Sequence, residues 1–201
     1  MARRAQPMAA DREARLFRAA AEEFLRYGFE TASLNRIIST AEMPKSSFYH
    51  YFTDKRDLHD RMMHALVAAV DEFVRPPDLA GLDEETFWPA MSTLLEGITR
   101  MAAERPVTVE LARLFHALPE GVDSAADSLR EAARAWSDAA LRRGTELGVV
   151  RADLPSELLA EIVFSILVAL DRWALRTESA QKTSPDLKLA LHAVQRLIEG
   201  T

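Results

Sequence analysis

Apolar residues recur at steps of three and four positions along most of the chain, and proline, glycine or a capping residue bounds each such stretch. In the first stretch, Leu16, Ala20 and Phe24 share one helical face, and a glycine at position 28 follows as a stop signal. No convincing run alternates between apolar and polar residues as a half-buried strand would. The pattern therefore predicts an all-α fold.

The same punctuation divides the chain into about nine predicted helices. Ser33 and Asp54 are suited to cap the second and fourth helices, and Pro44 suits the first turn of the third, where its missing N–H costs no hydrogen bond. The expected helices are Ala10–Tyr27, Ser33 to about Ala41, a short one from Pro44, Asp54–Val74, Thr86–Ala103, Val107–Ala117, Asp123–Leu147, Ser156–Thr177 and Pro185–Glu199. Two prolines and a glycine within residues 75–85 predict a joint there.

Composition narrows the class of protein. The chain has no cysteine, which excludes disulfides, thiolate zinc sites and cysteine redox switches. Its longest strongly apolar stretch, Ile162–Leu170, is too short to span a bilayer, where about 20 residues are needed, and the first residues lack the apolar core of a secretory signal. We therefore expect a cytoplasmic protein with no membrane partner.

Charge is distributed unevenly between the two ends. The whole chain carries a net charge of −6, which by itself argues against a nucleic-acid partner. Residues 1–58, however, hold ten Lys and Arg against eight Asp and Glu, and the remaining residues hold fifteen against twenty-three. The N-terminal segment thus has the sign expected of a module that approaches phosphates.

The short third helix concentrates aromatic residues beside small hydroxyls. Phe48 and Phe52, four positions apart, can both face inward and anchor a helix too short to be stable alone. The opposite side then carries Lys45, Ser46, Tyr49 and His50. Lysine and serine can hydrogen-bond to base edges, and a tyrosine phenol can donate to a phosphate. Together with a tight turn before it, this helix indicates a helix-turn-helix.

Residues 19–58, AAAEEFLRYGFETASLNRIISTAEMPKSSFYHYFTDKRDL, resemble the TetR family of bacterial one-component transcriptional regulators. The resemblance implies an N-terminal three-helix DNA-binding domain, residues 1–55, and a C-terminal helical domain for effector binding and dimerisation, residues 56–201. It also implies a homodimer on double-stranded DNA with a palindromic operator. The expected function is that of a repressor released by a small apolar or aromatic effector.

The resemblance also assigns candidate DNA contacts. The residues that match the family's positions for contact with bases or phosphates are Asn35, Arg36, Lys45, Ser46, Ser47, Tyr49, His50 and Lys55. Two positions depart from the pattern: Glu42 replaces the glycine usual in the turn, and Ala32 replaces a common threonine. Because a left-handed backbone costs a non-glycine residue about 1–2 kcal/mol, we expect the turn to be reshaped.

Large apolar side chains in the C-terminal helices suit an effector pocket, although aromatic residues at helical spacing are more often part of the core. The resemblance, rather than the spacing, suggests an effector. The candidates are Phe87, Met91, Met101, Phe115, His116, Trp136, Phe164 and Trp173.

The helix expected at Ser156–Thr177 is apolar nearly all round and needs cover on two sides. A second subunit could provide this cover through an isologous four-helix interface, or the helix could be interior to a monomer. The candidate interface residues are Ile162, Ile166, Leu170, Leu191, Val194 and Leu197.

The two alternative functions are a small helical enzyme and a DNA-binding protein without an effector. The five histidines form neither H-E-x-x-H nor a Glu-x-x-His pair, and no nucleophile elbow or phosphate loop occurs, so the residues predict no enzyme, cofactor or metal site. A DNA-binding protein without an effector is the second alternative. Binding without sequence preference is disfavoured by the sparse basic charge, because such affinity grows with the number of phosphates neutralised.

Overall fold

The computed structural model describes residues 8–119, 121, 123–176 and 192–199. These ranges are helical apart from turns, loops and one isolated antiparallel bridge between Val150 and Glu199, so the all-α prediction is confirmed. The helices are α1 (Ala10–Thr31), α2 (Leu34–Thr40), α3 (Lys45–Tyr51), α4 (Lys55–Phe73), α5 (Phe87–Glu104), α6 (Val107–Ala117), α7 (Ser124–Glu146) and α8 (Ser156–Arg176). Residues 79–81 form a short 3-10 turn, and residues 192–198 are helical.

Local signals account for most of the boundaries. The Ser33 side chain accepts from the backbone N–H of Arg36 at 3.4 Å and begins α2 as predicted. Asp54 accepts from the N–H of Asp57 at 2.9 Å, and the Asp57 carboxylate accepts from the N–H of Thr53 at 2.9 Å, so α4 begins with reciprocal caps. Gly28 interrupts α1 with a φ of 74°, after which the chain is helical again to residue 31.

The chain divides into two compact units. The first unit holds residues 1–68 and 105–126, and the second holds residues 69–104 and 127–201. Helices α4 and α7 contribute residues to both. The proposed functional boundary between residues 55 and 56 stays a prediction.

The core of the first unit surrounds α1, which packs against α2 and α6. Its largest buried side chains come from helices α1 to α4 and α6. They include Leu16, Phe24, Ile37, Phe48, Phe52, Leu58, Met62 and Leu111. The short α3 therefore packs on a core built by four other helices, which accounts for its stability at a length of seven residues.

The second unit is centred on α7 and α8. Its core contains Phe87, Leu141, Val150, Leu159, Val163, Val194 and Ile198. Two glycines allow close approach of their neighbours: a Cβ at Gly144 would overlap the side chains of Val150 and Phe87, and a Cβ at Gly97 would overlap the backbone carbonyl of Phe73. At Gly97 the middle of α5 therefore lies directly against the end of α4.

Part of α8 is exposed in the part of the chain that the structure describes. Leu158, Ile162, Leu167 and Trp173 are exposed, as is Leu197 in the helical segment 192–198. Among the described residues, no helix is both long enough and apolar enough to cross a membrane. Leu158 and Ile162 are exposed next to Leu159 and Val163, which belong to the core of the second unit.

Candidate nucleic-acid interface

Helix α3 is anchored from behind by two aromatic rings. Phe48 is fully buried, Phe52 is 3% exposed, and their rings stack with centroids 5.1 Å apart. The guanidinium of Arg61 in α4 lies over the Phe52 ring at 4.9 Å from its centroid. The prediction that both phenylalanines face inward is confirmed.

The opposite face of α3 is polar and accessible. Lys45, Ser46, Tyr49 and His50 are exposed, and Ser47 is half-buried. Tyr49 stands edge-on to Phe48 with centroids 5.4 Å apart, so its ring is held while its phenol projects outward. Within the described ranges, none of these five side chains takes part in a hydrogen bond or an ion pair.

An ion pair fixes α2 against α1. Glu23 is nearly buried, and its Oε1 accepts from Nε of Arg36 at 2.9 Å and from the backbone N–H of Ser33 at 2.7 Å. The hydrogen bond from Arg36 is the main reason that the pKa of Glu23 lies below its ordinary value, with the Ser33 N–H helping and burial opposing. The guanidinium also lies 4.6 Å from the centroid of the Tyr27 ring. Arg36, a predicted DNA contact, thus already has partners within the protein.

Lys55 has a similar internal role. Its ammonium donates to the carbonyls of Phe29, Glu30 and Ala32, which lie in the last turn of α1 and just beyond it. It also lies 4.7 Å from the centroid of the Phe29 ring. A cation at a helix C-terminus satisfies carbonyls that have no intrahelical donor. The sequence analysis missed these contacts, because the partners are more than 20 residues away in the chain.

The turn between α2 and α3 differs from expectation. Glu42 has a φ of 52°, so the left-handed conformation is kept with a glutamate in place of glycine, and the expected reshaping of the turn is wrong. Its N–H donates to the carbonyl of Ser39 at 3.1 Å, and the next N–H, of Met43, donates to Ile38 at 3.0 Å. Burial of Ile38 and Met43 on either side holds the turn in this strained form. Asn35, in the helix before it, is exposed.

The predicted effector residues have varied surroundings. Six of them belong to the second unit, where Phe87 and Met101 are buried and Trp173 is exposed. The other three in that unit, Met91, Trp136 and Phe164, are partly buried. Phe115 and His116 belong to the first unit and are also partly buried. Arg134 lies 4.6 Å from the centroid of the Phe164 ring, and the indole N–H of Trp136 is buried with no acceptor among the described residues. Their role in effector binding stays a prediction.

One groove in the second unit has a volume of about 420 Å³. It is lined by the last turns of α7, the loop 151–154 and the start of α8. Its lining includes five charged side chains, Asp138, Arg142, Glu146, Arg151 and Glu157. None of the eight predicted effector residues lines it.

The predicted interface residues also separate into groups. Ile162 and Leu197 are exposed, whereas Ile166 and Leu170 are partly buried against the core of the second unit. Val194 is itself a buried member of that core, so within the chain it is already covered. Leu191 lies outside the described residues.

Comparison with known proteins places this geometry in a known group. A family profile described as bacterial regulatory proteins, tetR family, matches residues 16–62, which include α2 and α3. The HTH-type transcriptional repressor SCO4008 of Streptomyces coelicolor is 30% identical over 172 residues, covering 81% of this chain and 78% of that protein.

Two solved structures share the fold. The TetR family protein CprB of S. coelicolor A3(2) has a TM-score of 0.67 at 20% identity, with 95% of this chain and 90% of that chain covered. A SmeT–triclosan complex has a TM-score of 0.59 at 16% identity, with coverages of 94% and 92%. At these identities the likeness concerns the fold alone.

Proposed function

Because the chain belongs to the TetR family of bacterial transcriptional regulators, with a DNA-binding helix-turn-helix, we propose that it represses transcription from a palindromic operator as a homodimer. We further propose that a small apolar or aromatic effector releases it from DNA. The observation that carries the proposal is the two-sided character of α3. Its phenylalanines are buried, while Lys45, Tyr49 and His50 are exposed.

The outward face of α3 has the chemistry of a base-reading surface. Lys45 would donate to guanine acceptors, and the hydroxyls of Ser46 and Ser47 would hydrogen-bond at base edges without filling the groove. Tyr49 would donate to a phosphate, with its ring steadied by Phe48. His50, and Asn35 from α2, would contact bases or the adjacent backbone.

Arg36 and Lys55 are proposed to act mainly by holding the helices around α3 in place. The pair of Arg36 with Glu23 holds α2 to α1, and the bonds of Lys55 hold the start of α4 to the end of α1. Helix α3 lies between α2 and α4 in the chain, so both contacts limit its movement. A direct contact of either cation with phosphate stays a prediction, and for Lys55 it would compete with three carbonyls.

Exposed apolar side chains support self-association through α8. Leu158 and Ile162, four positions apart in α8, are exposed, as is Leu197 in the segment 192–198. A second copy of the same surface would cover it in an isologous interface. This set overlaps the predicted one at Ile162 and Leu197 and omits Val194, which is buried.

An apolar or aromatic effector is supported by the aromatic content of the second unit and by the unpaired indole N–H of Trp136. An acceptor on such an effector would satisfy this donor, and the arginine over the Phe164 ring shows that a cation is accommodated beside an aromatic face there. The SmeT–triclosan complex shows that a protein of this fold binds a chlorinated aromatic compound, and we extend only the general class of ligand to this chain.

The proposed release is a population shift. Two copies of α3 must enter major grooves about 34–36 Å apart, and an effector that binds better to a conformation with another spacing lowers operator affinity. A tenfold loss requires about 1.4 kcal/mol of coupling. Helix α4 follows α3 directly and contributes residues to both units, so it is the element proposed to transmit the change.

The function can be tested without knowing the operator. Duplexes selected from a random pool by the full-length protein would be sequenced, and the affinity for the enriched site and for a scrambled duplex would be compared by fluorescence anisotropy at several salt concentrations. We expect an inverted repeat, bound at two chains per duplex, with the scrambled sequence much weaker. Equal affinity for both duplexes would contradict the proposal, since it would indicate binding to phosphates alone.

The Lys45→Ala variant sharpens this test. It should relax the preference at one base position of each half-site, at a cost of about 1–3 kcal/mol for the selected base. Arg18→Ala, which removes an exposed cation from α1, serves as the matched control. A uniform weakening on all sequences by Lys45→Ala would instead assign the lysine to a phosphate.

A further inference from the structure

His59 is a buried histidine that DNA binding does not use. It lies in the second turn of α4, is 3% exposed, and its ring stands edge-on to Phe24 at 5.6 Å and Phe29 at 5.3 Å between centroids. Aromatic edge contacts explain why the ring fits there. They do not provide hydrogen-bond partners for its two ring nitrogens.

Neither nitrogen of His59 has a well-formed hydrogen bond. Nδ1 is 3.4 Å from Oδ2 of Asp123 and 3.6 Å from Oδ1 of Asp60, and both distances exceed the usual N–H···O range of about 2.7–3.2 Å. Nε2 is buried and has no hydrogen-bond partner in the ranges that the structure describes. On burial, this imidazole has lost its hydrogen bonds to water and has gained no well-formed hydrogen bonds from the described residues in their place.

The two carboxylates converge on Nδ1 from different parts of the first unit. Asp123 precedes α7, where its Oδ1 accepts from the N–H of Ala126 at 2.9 Å, and its other oxygen faces His59. The Asp123 side chain is 6% exposed, whereas that of Asp60, beside His59 in α4, is 48% exposed. One ligand atom from each of the three residues lies within 4.8 Å of the other two.

The two distances from Nδ1 to the carboxylate oxygens match those between neighbouring ligands of a metal ion. Bonds of about 2.0–2.2 Å in a tetrahedral site place neighbouring ligand atoms roughly 3.4 Å apart. The distances from Nδ1 to the two carboxylate oxygens are 3.4 and 3.6 Å. Two carboxylates also balance the charge of a divalent cation, and the half-exposed side chain of Asp60 is accessible to an ion from solvent.

We propose that His59, Asp60 and Asp123 form a binding site for a divalent transition-metal cation of the Zn²⁺ class, which joins the start of α4 to the residue that caps α7. One imidazole and two carboxylates, with no thiolate, suit Zn²⁺, Co²⁺ or Mn²⁺ better than a soft ion. The sequence predicted no metal site, because Asp123 is more than 60 residues from His59 and the three residues match no ligand spacing. The inference does not depend on the proposed operator or effector.

Bound metal would stabilise the first unit. An ion that binds the folded chain and not the unfolded one raises stability by mass action, so the melting temperature should rise with the free Zn²⁺ concentration. The site would also restrain α4 close to its junction with α3.

The test uses full-length protein without an affinity tag, freed of metal with a chelator. Calorimetric titration with ZnCl₂ should give one ion per chain, and thermal unfolding should shift upward with Zn²⁺ but not with Mg²⁺ at the same concentration. Co²⁺ should add visible absorption bands typical of a low-symmetry four- or five-coordinate ion.

Matched variants identify the ligands. Asp60→Asn and His59→Gln should each weaken Zn²⁺ binding by at least about tenfold, since loss even of an outer partner typically costs 10–100-fold. Asp71→Asn changes an exposed carboxylate on the same helix and should leave the affinity unchanged. Because His59 is buried, its variant also perturbs packing; Asp60, half-exposed, tests the site with the fold intact.

Three results would overturn the proposal. They are the absence of stoichiometric Zn²⁺ binding, binding that Asp60→Asn leaves intact, and binding that Asp71→Asn abolishes.

Discussion

Helices α3 and α8 each expose side chains to solvent, and the two exposed surfaces differ in chemistry. The exposed side of the seven-residue α3 carries a lysine, a serine, a tyrosine and a histidine. The 21-residue α8 exposes Leu158, Ile162 and Leu167. A polar surface on a short, firmly anchored helix suits a hydrated, charged partner, whereas aliphatic side chains on a long helix suit another protein surface.

The difference extends to how each helix is held. Helix α3 depends on two buried rings and on contacts between its neighbours, including Glu23 with Arg36 and Lys55 with the end of α1. Helix α8 is held by its own row of core residues, Leu159 and Val163 among them. Variants at the anchors of α3 should therefore affect stability, and variants on the exposed side of α8 should affect association.

The largest effect is expected from Phe48→Ala. Removing a fully buried ring should lower the free energy of unfolding by about 3–5 kcal/mol, because it takes away apolar burial and leaves a cavity. Urea unfolding followed by circular dichroism would measure it. Tyr49→Ala, at the neighbouring but half-exposed position, is the control and should cost much less; equal losses would mean that α3 is not anchored through Phe48.

Ile162→Asp is the corresponding change on α8. A carboxylate in an apolar interface should weaken self-association by about 100-fold, or roughly 2.7 kcal/mol, while the exposed position leaves the helical content unchanged. Light scattering across a dilution series would detect the shift toward monomer. Thr93→Asp places the same charge at an exposed position of α5, and an equal shift there would remove α8 as the interface.

Glu23→Gln tests the contact between α1 and α2 and its pH dependence. The pKa of Glu23 is lowered by Arg36, so the carboxylate contributes stability above the unfolded-state pKa of about 4.3 and loses it as pH falls through the folded-state value. The variant should unfold at lower urea than the parent at pH 7, and the difference should shrink below about pH 4. Glu22→Gln, an exposed neighbour, should match the parent at every pH.

The smallest effect is expected from Tyr49→Phe. Loss of one phenol hydrogen bond to phosphate should weaken binding to every duplex by a similar factor, about 0.5–1.5 kcal/mol, with no change in stability. Anisotropy titrations on the selected site and its scrambled form would compare the two losses. An affinity equal to that of the parent would remove Tyr49 from the interface.

Local chemistry explains what the sequence predicted well. The caps at Ser33 and Asp54 and the inward rings of α3 depend on residues at most four positions apart, and all were confirmed. The roles of Arg36 and Lys55 were incomplete because their partners are distant in the chain. Convergence of His59 with Asp123 likewise results from packing of α4 against the residues before α7, for which no local pattern exists.

The sequence analysis also did not predict the backbone conformation of Glu42. Glu42 takes the left-handed backbone that its residue type disfavours, because the burial of Ile38 and Met43 outweighs a cost of about 1–2 kcal/mol. Propensity at one position could not reveal that its neighbours would decide the conformation. The eight candidate effector residues share only large or polar side chains, and side-chain size and polarity do not distinguish a core residue from one that lines a cavity.

The contact at Gly97 has a mechanical consequence. Where two helices meet through side chains, rotamers can change and absorb a displacement before it reaches the other backbone. At Gly97 the backbone of α5 lies against the carbonyl of Phe73 with no side chain between them. A displacement of the middle of α5 would therefore move the last turn of α4 directly, because no side chain at this contact can change rotamer to absorb it.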